Sequence, residues 1–292
     1  MEVCLRDSDF NPRGGLALSA GLAGLALTLV GAGCSGRTIV AVDPYCTGSG
    51  VTGCPPDLVA DLIGYWRLND APGSATARDS SLWANDGTLV GLDAATAWAA
   101  GGPEGGALSV QGNGYVNVPD SASIDSITEQ VTVAAWIFLT APVTTGSYAT
   151  AISRQIGTGY GQHYHLSVND QNQAILFITT PMAGQVVIGG PPTVPQQTWV
   201  HLAGTYDGSQ ARLYVNGAEV VNAAVTGPFA TETNPVILSG NGNTDTHTVS
   251  EFVPGQLDQV MLYRRALGAD EIARLKGGAL LAPGAPHPDA GP

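Results

Sequence analysis

Between residues 62 and 276 the apolar residues recur mostly at every second position, and Gly, Pro, Asn or Asp interrupts them roughly every ten residues. A period of two sends alternate side chains to opposite faces of an extended chain, and regular turn signals fold such segments back on themselves. The pattern predicts strands at 64–68, 107–110, 115–118, 131–139, 150–154, 163–169, 174–178 and 186–188. It continues with 198–206, 210–215, 218–225, 236–238 and 252–263. The segment VTVAAWIFL (131–139) is almost wholly apolar, as a central strand covered on both faces must be. Asn216-Gly217 lies between RLYV and AEV, and Asn-Gly supplies the two positive-φ residues of a type I′ hairpin turn. One helix closes the span: Asp270 and Glu271 fall in its first turn and Arg274 and Lys276 in its last, matching the helix dipole. No linker or repeat interrupts residues 62–276, so the expectation is one all-β domain, a two-sheet antiparallel sandwich with one short C-terminal helix.

The flanks read differently. Residues 16–30 (LALSAGLAGLALTLV) form an uncharged run that is short for a membrane span and suits the apolar core of a signal peptide. The following LVGAGC resembles a bacterial lipoprotein signal, which implies lipidation of Cys34 and an exported chain held at the cell envelope, the lipid being its one tie to the membrane. It departs from that pattern at Gly31, where leucine is usual. The expected organisation is a signal peptide at 1–33, a tether at 34–61, the domain at 62–276 and a Pro/Ala/Gly tail at 277–292. Cys46 and Cys54 flank the loop TGSGVTG. In an oxidising compartment they are expected to pair, and no nearby His or further Cys completes a zinc site.

Charge excludes one partner class. With 11 Lys+Arg against 24 Asp+Glu, the chain carries −13, whereas a nucleic-acid binder needs a basic stripe against phosphates.

Seven segments in order carry a resemblance: GYWRLND (64–70), ARDSSLWANDGTLVG (77–91), GGALSVQGNGYVNVPDS (105–121), VTVAAWIF (131–138), WVHLAGTYDG (199–208), RLYVNGAEV (212–220) and GQLDQVMLYRRALGADEI (255–272). Together they resemble the LamG-like jelly roll of the concanavalin A-like lectin/glucanase superfamily, related to laminin G and pentraxin modules. Leu82 and Gly268 depart from the pattern, standing where glycine and serine are common. The resemblance implies a jelly roll whose relatives bind sugars or adhere to surfaces and include some glycosidases and lyases. It also implies a structural calcium ion near Asp258, with Asp70 (or Asn69) and the Gly112-Asn113-Gly114 turn as partners; the metal set is then Asp70, Asn113 and Asp258. Calcium takes six to eight oxygen ligands, so three distant segments can share one ion. By phase, Asp258 alternates with Val260 and Leu262, which places its carboxylate on an apolar face where it needs a partner. The alternative to calcium is backbone N–H groups or Arg67.

The remaining candidates are readings of the residues. His163 and His165, two apart on a predicted strand, share one face, with Tyr160 just before; they are a candidate glycan-binding surface or simply polar residues on a solvated face. Trp66, Trp136 and Trp199 are read as core anchors, and Trp83 and Trp98 as loop residues free to stack on a sugar. No pair of carboxylates has the strand spacing that glycoside hydrolysis requires, because Glu104, Glu129, Glu219, Glu232, Glu251 and Glu271 are isolated. The expectation is a non-catalytic module for a glycan or glycosylated surface. The alternatives are a surface module for envelope proteins, or an unusual hydrolase or lyase of the same fold.

Overall fold

A computed structural model describes residues 58–157, 161–278 and 280. Cys34, Cys46, Cys54 and Tyr160, to which the sequence assigns roles, lie outside the described residues.

Two eight-stranded antiparallel sheets face each other. The first runs Ala218–Ala224, Gln210–Val215, Trp199–Tyr206, Val131–Leu139, Gly255–Tyr263, Gly106–Ser109, Trp98–Ala100, with Leu62–Trp66 also paired to Gly255–Tyr263. The second runs Gly184–Thr193, Gln173–Thr180, Gln162–Asn169, Tyr148–Gln155, Val236–Leu238, Tyr115–Val118, Gly87–Val90, Thr76–Ala77. A small ribbon pairs Asn241–Asn243 with Thr248–Ser250. The period-two reading therefore located the long strands. It left out the short ones at 76–77, 87–90 and 98–100, the ribbon and the one-turn helix α1 (Ala122–Asp125), all too brief to show a period.

Inward-facing residues of both sheets fill one core, among them Val133, Ile137, Leu202 and Leu213 from the first sheet and Val116, Ile152, Leu166 and Leu176 from the second. A second cluster lies outside the first sheet. There the terminal helix α2 (Ala269–Lys276) sets Ile272 and Leu275 against Tyr65, Ala134, Ala203, Tyr214, Met261 and Tyr263. Gly268 caps α2 without a side chain of its own, and the Glu271 carboxylate reaches back to accept its N–H at 2.9 Å. The glycine departure is thereby offset.

Three expectations are corrected. A register shift follows Asp258, where Gln259 takes a φ of +46°. One extra residue reverses the alternation, so Leu257, Val260 and Leu262 face the main core while Asp258 shares the other face with Met261 and Tyr263. Trp66 is a core anchor, its Nε1–H donating to the Asn85 carbonyl at 2.8 Å. Trp136 and Trp199, however, are half-buried on the outer face of the first sheet, paired across it with His201 and Phe138. Trp98 belongs to a strand and packs into the core, leaving Trp83 as the exposed loop indole, with Arg264 over its ring at 5.8 Å.

One buried carboxylate joins the first strand, Leu62–Trp66, to the loop after Thr76–Ala77. Asp79 is fully buried; its Oδ1 accepts the N–H groups of Tyr65 and Ser81, both at 2.8 Å, and its Oδ2 accepts the Ser81 hydroxyl at 2.6 Å and the Asn85 N–H at 2.8 Å. Removing it strands these donors at about 1–3 kcal/mol each. Asp79→Ala is expected to lower the unfolding free energy by about 3 kcal/mol or more in urea denaturation. A loss below about 1 kcal/mol would show that the hub is dispensable.

Candidate functional site

A concavity opens at the start of Tyr148–Gln155, a central strand of the second sheet. It encloses about 200 Å³. Tyr148 and Phe252 supply aromatic surface, Thr144 and Ser147 hydroxyls and Glu251 a carboxylate, with Gly112, Val143 and Pro254 completing the lining. Both rings are braced from behind. Phe252 stacks on Tyr115 with ring centroids 6.3 Å apart, and Tyr148 meets Phe177 edge-on at 5.4 Å.

Glu251 is held from several sides. Its φ of +61° lies in the left-handed region that side-chain-bearing residues rarely adopt. Its carbonyl accepts the Thr150 N–H at 2.9 Å, and its Oε2 accepts the Thr150 hydroxyl at 3.1 Å. Thr150 Oγ1 also lies 2.6 Å from His165 Nε2. A hydroxyl has one hydrogen, and here it goes to Glu251, so His165 must donate from Nε2 and carry its lone pair on Nδ1. A directional chain results, from His165 to Thr150 to Glu251. Burial raises the Glu251 carboxyl above its usual range, against hydrogen bonds from Thr150 and Asn241 that lower it.

Both candidate histidines are buried, each only 1% exposed, which corrects the reading of a surface-lining pair. A register shift at Arg154/Gln155, opposite His163, separates their surroundings. His163 packs on Phe229, while His165 stacks on Phe177 with centroids 4.7 Å apart. His165 thus lies behind the cleft and reaches it through Thr150. Glu251 is the residue that the sequence reading missed: its partner Thr150 is 101 positions away, and no local motif marks it.

The proposed metal residues take separate partners. Asp258 is fully buried, its Oδ2 accepting the Glu104 N–H at 3.1 Å and its Oδ1 the Gln259 N–H at 2.8 Å. Asp70 accepts the Arg78 N–H at 3.2 Å, and Asn113 is exposed on its turn. The three share no hydrogen-bond partner. Beside Asp258, the Glu104 carboxylate is engaged by the Arg67 guanidinium. A Cβ on Gly102 would lie 2.7 Å from Asp258 Oδ2, so the turn closes tightly over the carboxylate. Among the described residues no group of three or more His, Cys, Asp or Glu is placed to hold a metal. As placed, Asp70, Asn113 and Asp258 take separate partners and do not share one oxygen shell of the kind calcium takes. The arrangement is the backbone-N–H alternative, with Arg67 close by.

The family profile of the concanavalin A-like lectin/glucanases superfamily, laminin G type, matches residues 110–273. The chain belongs to this superfamily. No curated protein is significantly similar to the sequence. Among solved structures, the binding domain of Paraclostridial Mosquitocidal Protein 1 superposes with a TM-score of 0.56 at 17% identity, over 76% of this chain and 53% of that one. Domain 4 of AbnA, a GH43 extracellular arabinanase from Geobacillus stearothermophilus solved with arabinotriose, gives 0.54 at 19% identity over 74% and 98%. Trypanosoma rangeli sialidase in complex with sialic acid gives 0.54 at 16% over 79% and 35%. This member of the superfamily thus matches nearly all of the arabinanase domain, about half of the mosquitocidal binding domain and about a third of the sialidase. At these identities the likeness is one of fold.

Three buried imidazoles make the domain sensitive to acid. Burial pushes His163 down to about 4 and His165 to about 3; burial and then Lys276 push His201 to about 3. In the unfolded chain each binds a proton near pH 6.5. Between these values unfolding takes up protons, so stability falls as pH is lowered. Asp258, raised to about 8 chiefly by burial, works the other way over the same range. The difference between wild type and His201→Phe cancels the carboxyls. The variant should lose about 1.4 kcal/mol per pH unit less stability on acidification between about pH 6 and pH 5. Equal slopes for the two proteins in urea titrations would refute the assignment of His201 as buried and neutral.

Proposed function

We propose that the domain is a non-catalytic carbohydrate-binding module and that a sugar ring occupies the cleft beside Glu251. The observation that carries this reading is the lining itself. Tyr148 and Phe252 offer apolar ring faces, and Glu251, Thr144 and Ser147 offer hydrogen-bonding groups within the same 200 Å³. A pyranose or furanose presents both needs, C–H faces for aromatic contact and hydroxyls for fixed acceptors. The arabinotriose complex of the AbnA domain supports the reading, as does the binding role of the mosquitocidal domain. Glu251 is the only carboxylate among the lining residues, and most glycosidase families use two flanking the bond to be cleaved, which favours binding over hydrolysis.

The test is a glycan panel run with calcium and with EDTA, repeated with Phe252→Ala. Wild type is expected to bind at least one neutral oligosaccharide in both arms, and the variant to bind it at least about tenfold more weakly while keeping its circular dichroism. Binding seen only with calcium would return the ion to the reading through donors other than the Asp70, Asn113 and Asp258 set. A panel without binding would overturn the proposal.

Display at the cell envelope through a lipid on Cys34 is part of the same proposal, and rests on the uncharged run at 16–30 followed by LVGAGC. Metabolic labelling with an alkynyl fatty acid should mark the wild-type chain and not Cys34→Ser. Equal labelling of the two would remove the anchor from the proposal.

A further inference from the structure

We propose that Glu251 makes the cleft select neutral sugars against carboxylated ones, such as uronates and sialates. The inference rests on the glycan reading above and adds the chemical class of the ligand. None of the cleft-lining residues is basic, so the lining offers no cation to pair with an incoming carboxylate. The one charged group there is Glu251, which as a carboxylate only accepts hydrogen bonds. A sugar hydroxyl can donate to it; a second carboxylate cannot, and the two charges repel in a partly desolvated cleft.

The carboxylate is also unable to turn aside. Thr150 holds Oε2 through its hydroxyl and the Glu251 carbonyl through its N–H. His165 in turn fixes the Thr150 hydroxyl from a stacked position on Phe177. Asn241 adds a side-chain hydrogen bond from the ribbon. The left-handed backbone at Glu251 costs energy wherever the surroundings do not enforce it, and here they do. A flexible surface glutamate would swing toward solvent when an anion approached, whereas this one holds its charge at the mouth. The formal charge of −13 on the whole chain has the same sign and adds to the exclusion at longer range.

The experiment uses two matched pairs of probes, lactose with 3′-sialyllactose and galactotriose with trigalacturonate. Calorimetric titration against wild type and Glu251→Gln gives the acid-to-neutral affinity ratio for each pair. In wild type, the neutral member is expected to bind at least about tenfold more tightly in any pair that binds. Glu251→Gln keeps an amide oxygen for the Thr150 hydroxyl and removes the charge, and it should bring the ratio to within about threefold of unity, whatever happens to the absolute affinities. Raising the salt concentration should narrow the wild-type ratio in the same direction, a readout that needs no variant. Binding without discrimination in wild type, or a ratio untouched by both the substitution and salt, overturns this inference and leaves the glycan reading standing. Wild type binding none of the four probes, together with an empty neutral panel, overturns the glycan reading and this inference with it.

Discussion

The architecture depends on the buried carboxylate of Asp79. A sandwich of two sheets needs its first strand fastened to the chain of the other layer, and Asp79 lies in the loop that joins Thr76–Ala77 to Gly87–Val90 of that layer. Asp79 makes the fastening with donors alone: three backbone N–H groups and one hydroxyl, from Tyr65, Ser81 and Asn85. Asn85 extends the hub. Its amide donates to the Ile63 carbonyl at 2.8 Å, and its carbonyl oxygen accepts the hydroxyl of Ser121, the N-cap of α1. The hub therefore joins a strand of the first sheet, the loop leading to Gly87–Val90 in the second, and α1. Burying a carboxylate is costly, and four donors on two oxygens are what make it tolerable.

A second polar anchor works on the cleft strand. Arg154 is fully buried at the end of Tyr148–Gln155 and meets Asp120 at 2.9 Å and Asp125 at 2.5 Å, together with the carbonyls of Ile124, Asn234 and Glu232. Thr150, four residues earlier on the same strand, holds Glu251. The strand is thus tied to α1 at one end and to the cleft near the other, and the core residues between them, Ala151 and Ile152, are wholly buried. Tyr148, the lining residue that belongs to this strand, and Thr150, which holds Glu251, are thereby placed more closely than loop residues alone would be.

The sequence made the sandwich legible because alternation and turn chemistry are local. The hairpin at Asn216-Gly217 and the long strand Val131–Leu139 needed only neighbouring residues to be read. Alternation failed where a single residue was inserted. The shift after Asp258 turned it from a residue in phase with Val260 into one facing Tyr65 and Glu104, and the shift opposite His163 split a pair that spacing had joined. Tryptophan carried no sign of which face it took. Trp136 lies in a strand whose inward positions hold Val133, Ala135 and Ile137, so its side chain falls on the outer face with Ala134. The carboxylate of the cleft was out of reach for a different reason: Glu251 acquires its setting from Thr150 and Asn241, neither of which lies close to it in sequence.

That long-range setting explains why the cleft is expensive to maintain. His165 Nδ1 and the hydroxyl oxygen of Ser167, its neighbour two residues along the strand, are buried without hydrogen-bond partners. Apolar residues at these positions would relieve the desolvation cost, and a glycine at 251 would relieve the backbone. Neither an apolar residue at 165 nor a glycine at 251 keeps that carboxylate held in the lining. Removing the imidazole frees the Thr150 hydroxyl to rotate, and removing the side chain at 251 leaves that hydroxyl without its acceptor. The polar atoms behind Tyr148 and the strained residue beside Phe252 thus form one device, in which stability given up in the sheet fixes a single charge in the cleft.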